Sequence, residues 1–315
     1  MNVHRDLRQL PPEARGCAVA IGNFDGVHRG HRTVIEAARG LAAGGRPLAV
    51  LTFEPHPKEV VTPATAPRRL TPMRRKIELL RELGCAHLFL LRFDRALMAM
   101  SADAFVAEIL VRRLGIGALT SGESFRFGHK RQGDAALLAA AGARHGFDYA
   151  AIPPLLDDGA PCSSTRIRHA LGEGDLPTAN RLLGYPFSYS GLVQAGDQRG
   201  RTIGFPTANL VPAAGRHALP ANGVYAVRAG WRTADGVRWY PGVANLGRRP
   251  TFGGGRVLLE VHLFDVQLDL YGQRLDVAFL ERLRGETTFS GPDALEAQIG
   301  RDCRDARRVH GLVLS

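Results

Sequence analysis

Two rhythms of hydrophobicity, one after the other, limit what this chain can fold into. Up to about residue 152, short apolar runs alternate with longer amphipathic stretches. Residues 18–21, 48–53, 87–93, 118–121 and 148–152 read as strands. Between them, 30–43 reads as a helix, as does a stretch from Thr71 whose Ile77, Leu79, Leu80 and Leu83 are spaced for one buried face. A third helix is expected over 101–114, with Ser101 as its N-cap. Strands separated by helices imply a parallel sheet covered on both faces. After about residue 186 the rhythm changes. Short runs at 189–194, 223–229, 237–241, 258–264 and 275–280 are punctuated by Asn222-Gly223, Asp235-Gly236 and Tyr271-Gly272. Closely spaced strands without intervening helices imply an antiparallel barrel or sandwich. A last helix over 292–309 is expected to lay Leu295 and Ile299 on it, and 163–183 reads as a helical link between the halves.

A chain of 315 residues exceeds what one hydrophobic core usually serves, so two domains are expected, 1–185 and 186–315. No apolar run reaches the roughly 18 residues of a membrane-spanning helix, and the N-terminal stretch lacks the apolar core of a secretory signal. Cys17, Cys85, Cys162 and Cys303 form no CxxC pair and read as buried or free thiols of a reducing compartment, so a cytoplasmic protein is expected. The net charge of +11 comes almost wholly from arginine, since Lys58, Lys76 and Lys130 are the only lysines. No block of five like charges occurs, and a solvated surface explains the excess at least as well as a polyanion track.

The densest chemistry of the first half is the run Ile21-Gly22-Asn23-Phe24-Asp25-Gly26-Val27-His28-Arg29-Gly30-His31. It follows a strand and opens a helix, where unpaired N–H groups and the positive dipole end face the loop and favour an anion. His28 and His31, three apart at a helix start, can aim two imidazoles at one phosphoryl group. A zinc pair or a plain tight turn remain alternatives for the same residues. Ser163 to Arg168 open another helix; capping explains the hydroxyls, while Arg168, one turn in, suits a phosphate clamp. Phe125-Arg126-Phe127-Gly128 pairs aromatic faces with a guanidinium, which suits either a planar ring bearing a phosphate or a core aromatic pair with a solvated arginine.

In the second half, the run from Gly191 to Asn209 places Gly196, Gly200 and Gly204 in a loop that can wrap phosphates. Thr207 and Asn209 offer hard oxygen ligands two residues apart, suited to a magnesium–nucleotide complex. Pro206 argues against an ordinary central strand there. Glu260 interrupts the apolar run Leu258–Phe264 and shares a face with His262. Such an acid is usually solvent-facing, but beside a phosphate it can take the proton of an alcohol.

The segments IGNFDGVHRGH, LTFEPHP, FRFG with the following Gly133-Asp134, and SSTRIR resemble the adenylyltransferase module of bacterial bifunctional riboflavin kinase/FAD synthetase. GRTIGFPTANL, GVYAV, NLGRRPTF, LEVHLFD and DLYG resemble the kinase module of the same family, in its domain order. The resemblance implies a nucleotidylyltransferase-type, Rossmann-like α/β domain over 1–185 and a small antiparallel β-barrel with a terminal helix over 186–315. It implies that His28 and His31 bind ATP phosphates, that Gly22, Asn23, Phe24 and Asp25 shape the nucleotide pocket, and that Ser164, Thr165 and Arg168 hold the triphosphate. Ser124, Phe125 and Phe127 would meet the flavin, Ser124 standing where the family usually carries Asp or Asn. In the kinase half, Gly196, Gly204, Pro206, Thr207 and Asn209 would bind ATP, with Thr207 and Asn209 on Mg²⁺, and Glu260 would match the catalytic base. The implied substrates and products are riboflavin, FMN, FAD and ATP, acted on by a monomer or weak homo-oligomer without nucleic acid or membrane. Two rivals are an aminoacyl-tRNA synthetase relative sharing the HxGH device and a nucleic-acid binder built on the arginine excess. The first lacks a KMSKS-like loop, and the second a helix-turn-helix or RNP aromatic set.

Overall fold

The computed structural model describes residues 1–42, 44–194, 205–212, 216–233, 236–249, 256–266 and 268–312. The chain divides into two compact units, Met1–Ser164 and Thr165–Ser315. Apolar strands buried on both faces build the first. β1 (Asn2–His4), β2 (Ala18–Ile21), β3 (Leu48–Glu54), β4 (His87–Arg92), β5 (Ala118–Gly122) and β6 (Asp148–Ile152) form one sheet in the order β1-β4-β3-β2-β5-β6. Every neighbouring pair is parallel. All four residues of β2 are buried, the unbroken apolar signature of a sheet covered on both faces. The unit closes with the two-residue strands β7 (Leu156–Asp157) and β8 (Ala160–Pro161).

Some details of this unit depart from the sequence expectation, which also did not give the helix Ala135–His145. β1 is too short for any periodicity to announce it. The helix expected from Thr71 begins at Met73, because Pro72 takes the N-cap position and Thr71 is buried elsewhere. Ser101 does cap its helix, accepting from Ala104 N, but residues Phe105–Leu114 wind as π-helix and stop at left-handed Gly115. All four cysteines are buried and free of disulfides.

The second unit opens with the helices Ser164–Glu173, which starts on the last residue of the first unit, and Leu176–Leu183. β9 (Ser188–Gln194), β10 (Ala208–Leu210), β11 (Gly223–Thr233), β12 (Gly236–Arg249), β13 (Arg256–Leu263) and β14 (Arg274–Arg284) then close into a barrel in the order β10-β13-β12-β11-β14-β9. Every described pairing is antiparallel. Asn180 ties the second helix to the barrel, donating to Phe279 O at 3.0 Å and accepting from Phe187 N at 2.7 Å. Compactness therefore divides the chain before these helices, whereas the sequence rhythm changes after them.

The strand expected over 237–241 runs from Gly236 to Arg249. Its second half carries Asn245 and Gly247, and pairing with β11 and β13 rather than apolar alternation keeps it extended. The C-terminal helix Pro292–Val309 lies where expected, but Leu295 does not pack: it is exposed, like most of the first two turns. Packing starts at Ile299 and continues through Cys303, Ala306 and Val309 onto Val224, Ala226, Val243 and Phe264.

Candidate active site

In the first unit β2 lies between β3, on the side leading to β1, and β5, on the side leading to β6, so the strand order reverses at its carboxyl end. Open parallel sheets bind ligands at such a point. Residues 22–28 leave β2 there and enter the helix Arg29–Leu41. His28 caps that helix: its Nδ1 accepts from His31 N at 3.2 Å, with the Cys162 thiol 3.7 Å away. An accepting Nδ1 leaves the ring proton on Nε2, which makes the outer edge a donor. The His31 ring stacks on His28 with centroids 3.5 Å apart and meets the edge of Phe24 at 5.3 Å. The two imidazoles therefore stand together at a helix N-terminus, an arrangement fitted to phosphate oxygens. A Cβ on Gly30 would come within 3.0 Å of Cys162 O and 3.3 Å of the His28 ring, so only glycine lets the segment carrying Cys162 approach.

The turn holds an unfavourable backbone. Phe24 and Val27 have φ of 48° and 38°, a conformation costing on the order of 1–3 kcal/mol at each non-glycine residue. Its neighbours hold it there. The Asn23 carbonyl accepts from Lys76 Nζ at 2.7 Å and from Thr52 Oγ1 at 3.1 Å. The buried Asp25 carboxylate accepts from Leu70 N at 3.0 Å and Thr71 N at 3.1 Å, and Gly26 N donates to Thr71 Oγ1 at 3.1 Å. Ser164 Oγ donates to Asp25 O at 2.8 Å. Asp25 and Ser164 thus act on the turn itself. Next to Leu70, Arg69 bridges Glu54 and Glu59, tying the end of β3 to the short helix Pro57–Val61.

The remaining first-half candidates are spread out. Gly22 and Asn23 lie at the start of the turn, half-buried and exposed. Ser124 is exposed, Phe125 is half-buried, and Phe127 belongs to the core, where it stacks on Phe125 at 5.8 Å and packs on Phe105 at 5.5 Å. The Arg126 guanidinium donates to the Glu123 and Phe125 carbonyls. Thr165 and Arg168 stand on the helix Ser164–Glu173, within the second unit, exposed and half-buried respectively.

In the barrel, strand register does what a single loop does in the first unit. Glu260 on β13 is opposite Asn209 on β10 and, on its other side, opposite Asn245 on β12. Cross-strand partners bring their Cβ atoms within about 5 Å, so one carboxylate sits between two amides. Asn209 Oδ1 is buried and has no hydrogen-bond partner among the described residues, which leaves a hard oxygen available to a ligand. Thr207, half-buried, precedes it by two residues. The Pro206 carbonyl accepts from His262 Nδ1 at 2.9 Å, and the ring is wedged between Phe205 and Phe264. Burial pushes the His262 imidazole below its ordinary value, so it serves as a neutral donor fixing the segment that leads to Thr207. Gly196 and Gly204 lie outside the described residues.

Sequence reasoning missed Thr52, Thr71, Lys76 and Cys162, and assigned His262 nothing. For Lys76 a signal existed: it lies three and four residues before Leu79 and Leu80, on the buried stripe.

A family model for FAD synthetase matches residues 10–166 and one for riboflavin kinase matches residues 183–310. The bifunctional riboflavin kinase/FMN adenylyltransferase of Escherichia coli (strain K12) is 45% identical over 311 residues, covering 98% of this chain and 96% of that protein. Its counterpart from Pseudomonas fluorescens is 43% identical, covering 98% of each. A crystal structure described as a macrolide-efflux protein from Streptococcus pneumoniae is 30% identical, with a TM-score of 0.84, over 97% of this chain and 98% of that one.

Proposed function

The chain belongs to the bifunctional riboflavin kinase/FMN adenylyltransferase family, and from that membership we propose how its two units divide the work. The enzyme phosphorylates riboflavin to FMN and adenylylates FMN to FAD. The observation that carries the division is that the paired imidazoles of His28 and His31 and the carboxylate of Glu260 fall in different compact units.

In the kinase half, Glu260 accepts the proton of the riboflavin 5′-hydroxyl as that oxygen attacks the γ-phosphorus of ATP and ADP leaves. Asn209 and Thr207 have the hard oxygens that fit Mg²⁺, and the unsatisfied Asn209 Oδ1 is the point of attachment that supports the fit. Bound with ATP, the ion supplies charge neutralisation on the phosphates. Pro206 turns its carbonyl to His262 and so orients Thr207, while Gly196 and Gly204 complete the proposed nucleotide loop.

In the other half, a phosphate oxygen of FMN attacks the α-phosphorus of a second ATP, and pyrophosphate leaves without a covalent enzyme intermediate. His28 Nε2–H and His31 donate to the oxygens on which charge grows, aided by the helix N-terminus behind them. Gly22, Asn23, Phe24 and Asp25 shape the pocket through the turn they form. Thr165 and Arg168 hold the triphosphate, with Ser164 contributing through the Asp25 carbonyl to which it donates. Phe125 offers the flavin a ring that Phe127 backs from the core, with Ser124 at its edge. In this assignment residues 1–185 serve adenylylation and 186–315 the kinase reaction, in a cytoplasmic monomer or weak homo-oligomer acting on small molecules. Among the described residues no helix is long and apolar enough to cross a membrane.

The test is chromatography of the protein incubated with riboflavin, Mg²⁺ and excess ATP. FMN followed by FAD is expected. FMN alone would place a fault in the first unit and make Ser124→Asp the first reversion. FAD from added FMN, with riboflavin untouched, would end the assignment of Glu260.

A further inference from the structure

The ammonium of Lys76 is the buried charge that the mechanism above leaves unused. Only 6% of this residue is exposed, in a helix that otherwise buries leucines. Its one hydrogen bond among the described residues is to a neutral acceptor, the Asn23 carbonyl, at 2.7 Å. A charge withdrawn from water for so little return is a stability cost. The return lies in what Asn23 begins. Its carbonyl precedes Phe24, the first of two non-glycine residues held at positive φ before His28. Thr52 Oγ1 grips the same carbonyl from β3, so two donors from two elements converge on one atom.

We infer that Lys76, with Thr52, is a positioning residue for adenylyl transfer, clamping the Asn23 carbonyl so that the turn presents His28 and His31 to the reacting phosphate. The inference rests on the reading that those imidazoles serve adenylyl transfer. Lys76 itself touches the backbone and not the reacting atoms. The charges around it are Asp25, Glu54 and Glu59, which favour the ammonium, and Arg69, which opposes it.

The test uses the full chain carrying Lys76→Met or Thr52→Val, each close in shape to the original side chain. Methionine removes a costly buried charge, so the thermal unfolding midpoint should hold or rise. The kcat for FAD formation from supplied FMN should fall by about 10²-fold, as expected when catalytic groups drift by an ångström. KM for ATP and FMN should change little, and FMN formation from riboflavin should be retained. Thr52→Val should lower the same kcat by a smaller factor, leaving the midpoint in place. An undiminished kcat in Lys76→Met overturns the inference. So does a raised KM at full kcat, which would make Lys76 a substrate contact, or a loss of activity matched in both variants by a fall in the midpoint. A wild-type chain that makes FMN but no FAD would instead overturn the underlying reading of the first unit.

Discussion

In the first unit the two imidazoles assigned to charge stabilisation, and the turn that presents them, come from one uninterrupted run, Gly22 to His31, capped onto a helix. In the barrel Asn209 and Glu260 come from different strands and meet, with Asn245 on the other side of Glu260, only because β10, β13 and β12 pair in that register. A contiguous site depends on how its backbone is held, which explains the number of clamps on Asn23, Asp25 and Gly26. A site assembled across strands gets its rigidity from the ladder and needs few dedicated supports. Failure should therefore look different in the two halves. The turn is vulnerable to changes that leave every catalytic side chain in place, the barrel mainly to loss of the side chains themselves.

The largest effect should come from Glu260→Gln, which keeps the shape and removes the base. FMN formation should fall by on the order of 10³-fold, within the range for a general base, while FAD formation from supplied FMN stays at the wild-type rate. Rate measurements with riboflavin and with FMN as separate substrates check this; equal losses in both would break the division between units. His28→Ala should give the mirror image. Losing one charge-stabilising donor costs about 10²–10³-fold in FAD formation and leaves the kinase rate intact.

A smaller effect tests how the barrel holds its helix. Asp302, 4% exposed, takes both prongs of Arg284 at 2.8 and 2.7 Å, and Gln298 donates to it at 2.8 Å. Asp302→Ala strands a largely buried guanidinium. Because Arg284 retains partial access to water, the loss should be nearer 2 kcal/mol than the full cost of an orphaned buried charge. Denaturant unfolding of the second unit, followed through kinase activity, checks it. An unchanged midpoint would mean that the apolar stripe of Ile299, Cys303 and Ala306 holds the helix alone.

The same contrast governs what could be read from the sequence. The inner parallel strands were legible because burial on both faces leaves no polar alternation to confuse them, and the His28–His31 spacing because it is local, whereas β1 at the sheet edge was too short to announce itself. The length of β12 and the meeting of Asn209 with Glu260 were not, since pairing partners distant in sequence decide both. Leu295 misled because its spacing places it on the stripe, but the first turns of that helix carry no packed partner. Lys76 was hidden by its neighbours: in Arg74-Arg75-Lys76 it looks like one more solvated charge, although its phase matches Leu79 and Leu80.

That lysine gives the smallest and most diagnostic expectation, because its two consequences have opposite signs. Burial holds its ammonium below the ordinary lysine value, with Asp25, Glu54 and Glu59 pulling upward and Arg69 downward. Between the folded and the unfolded value the unfolded chain binds more protons, so on this group's account stability rises with pH across that window. The clamp on Asn23 weakens as pH passes the folded value, the lower edge of that window, since the neutral amine is a poorer donor than the ammonium. FAD formation should therefore decline severalfold as pH is raised through the folded value, while above it this group's burdening of the fold is relieved. In Lys76→Met both slopes should flatten, with FAD formation uniformly low and stability no longer gaining from the group. FMN formation by the barrel, read from the same samples, corrects for alkaline effects common to both reactions. An alkaline decline that persists unchanged in Lys76→Met would assign the titration to another group and leave Lys76 without a catalytic consequence of its charge.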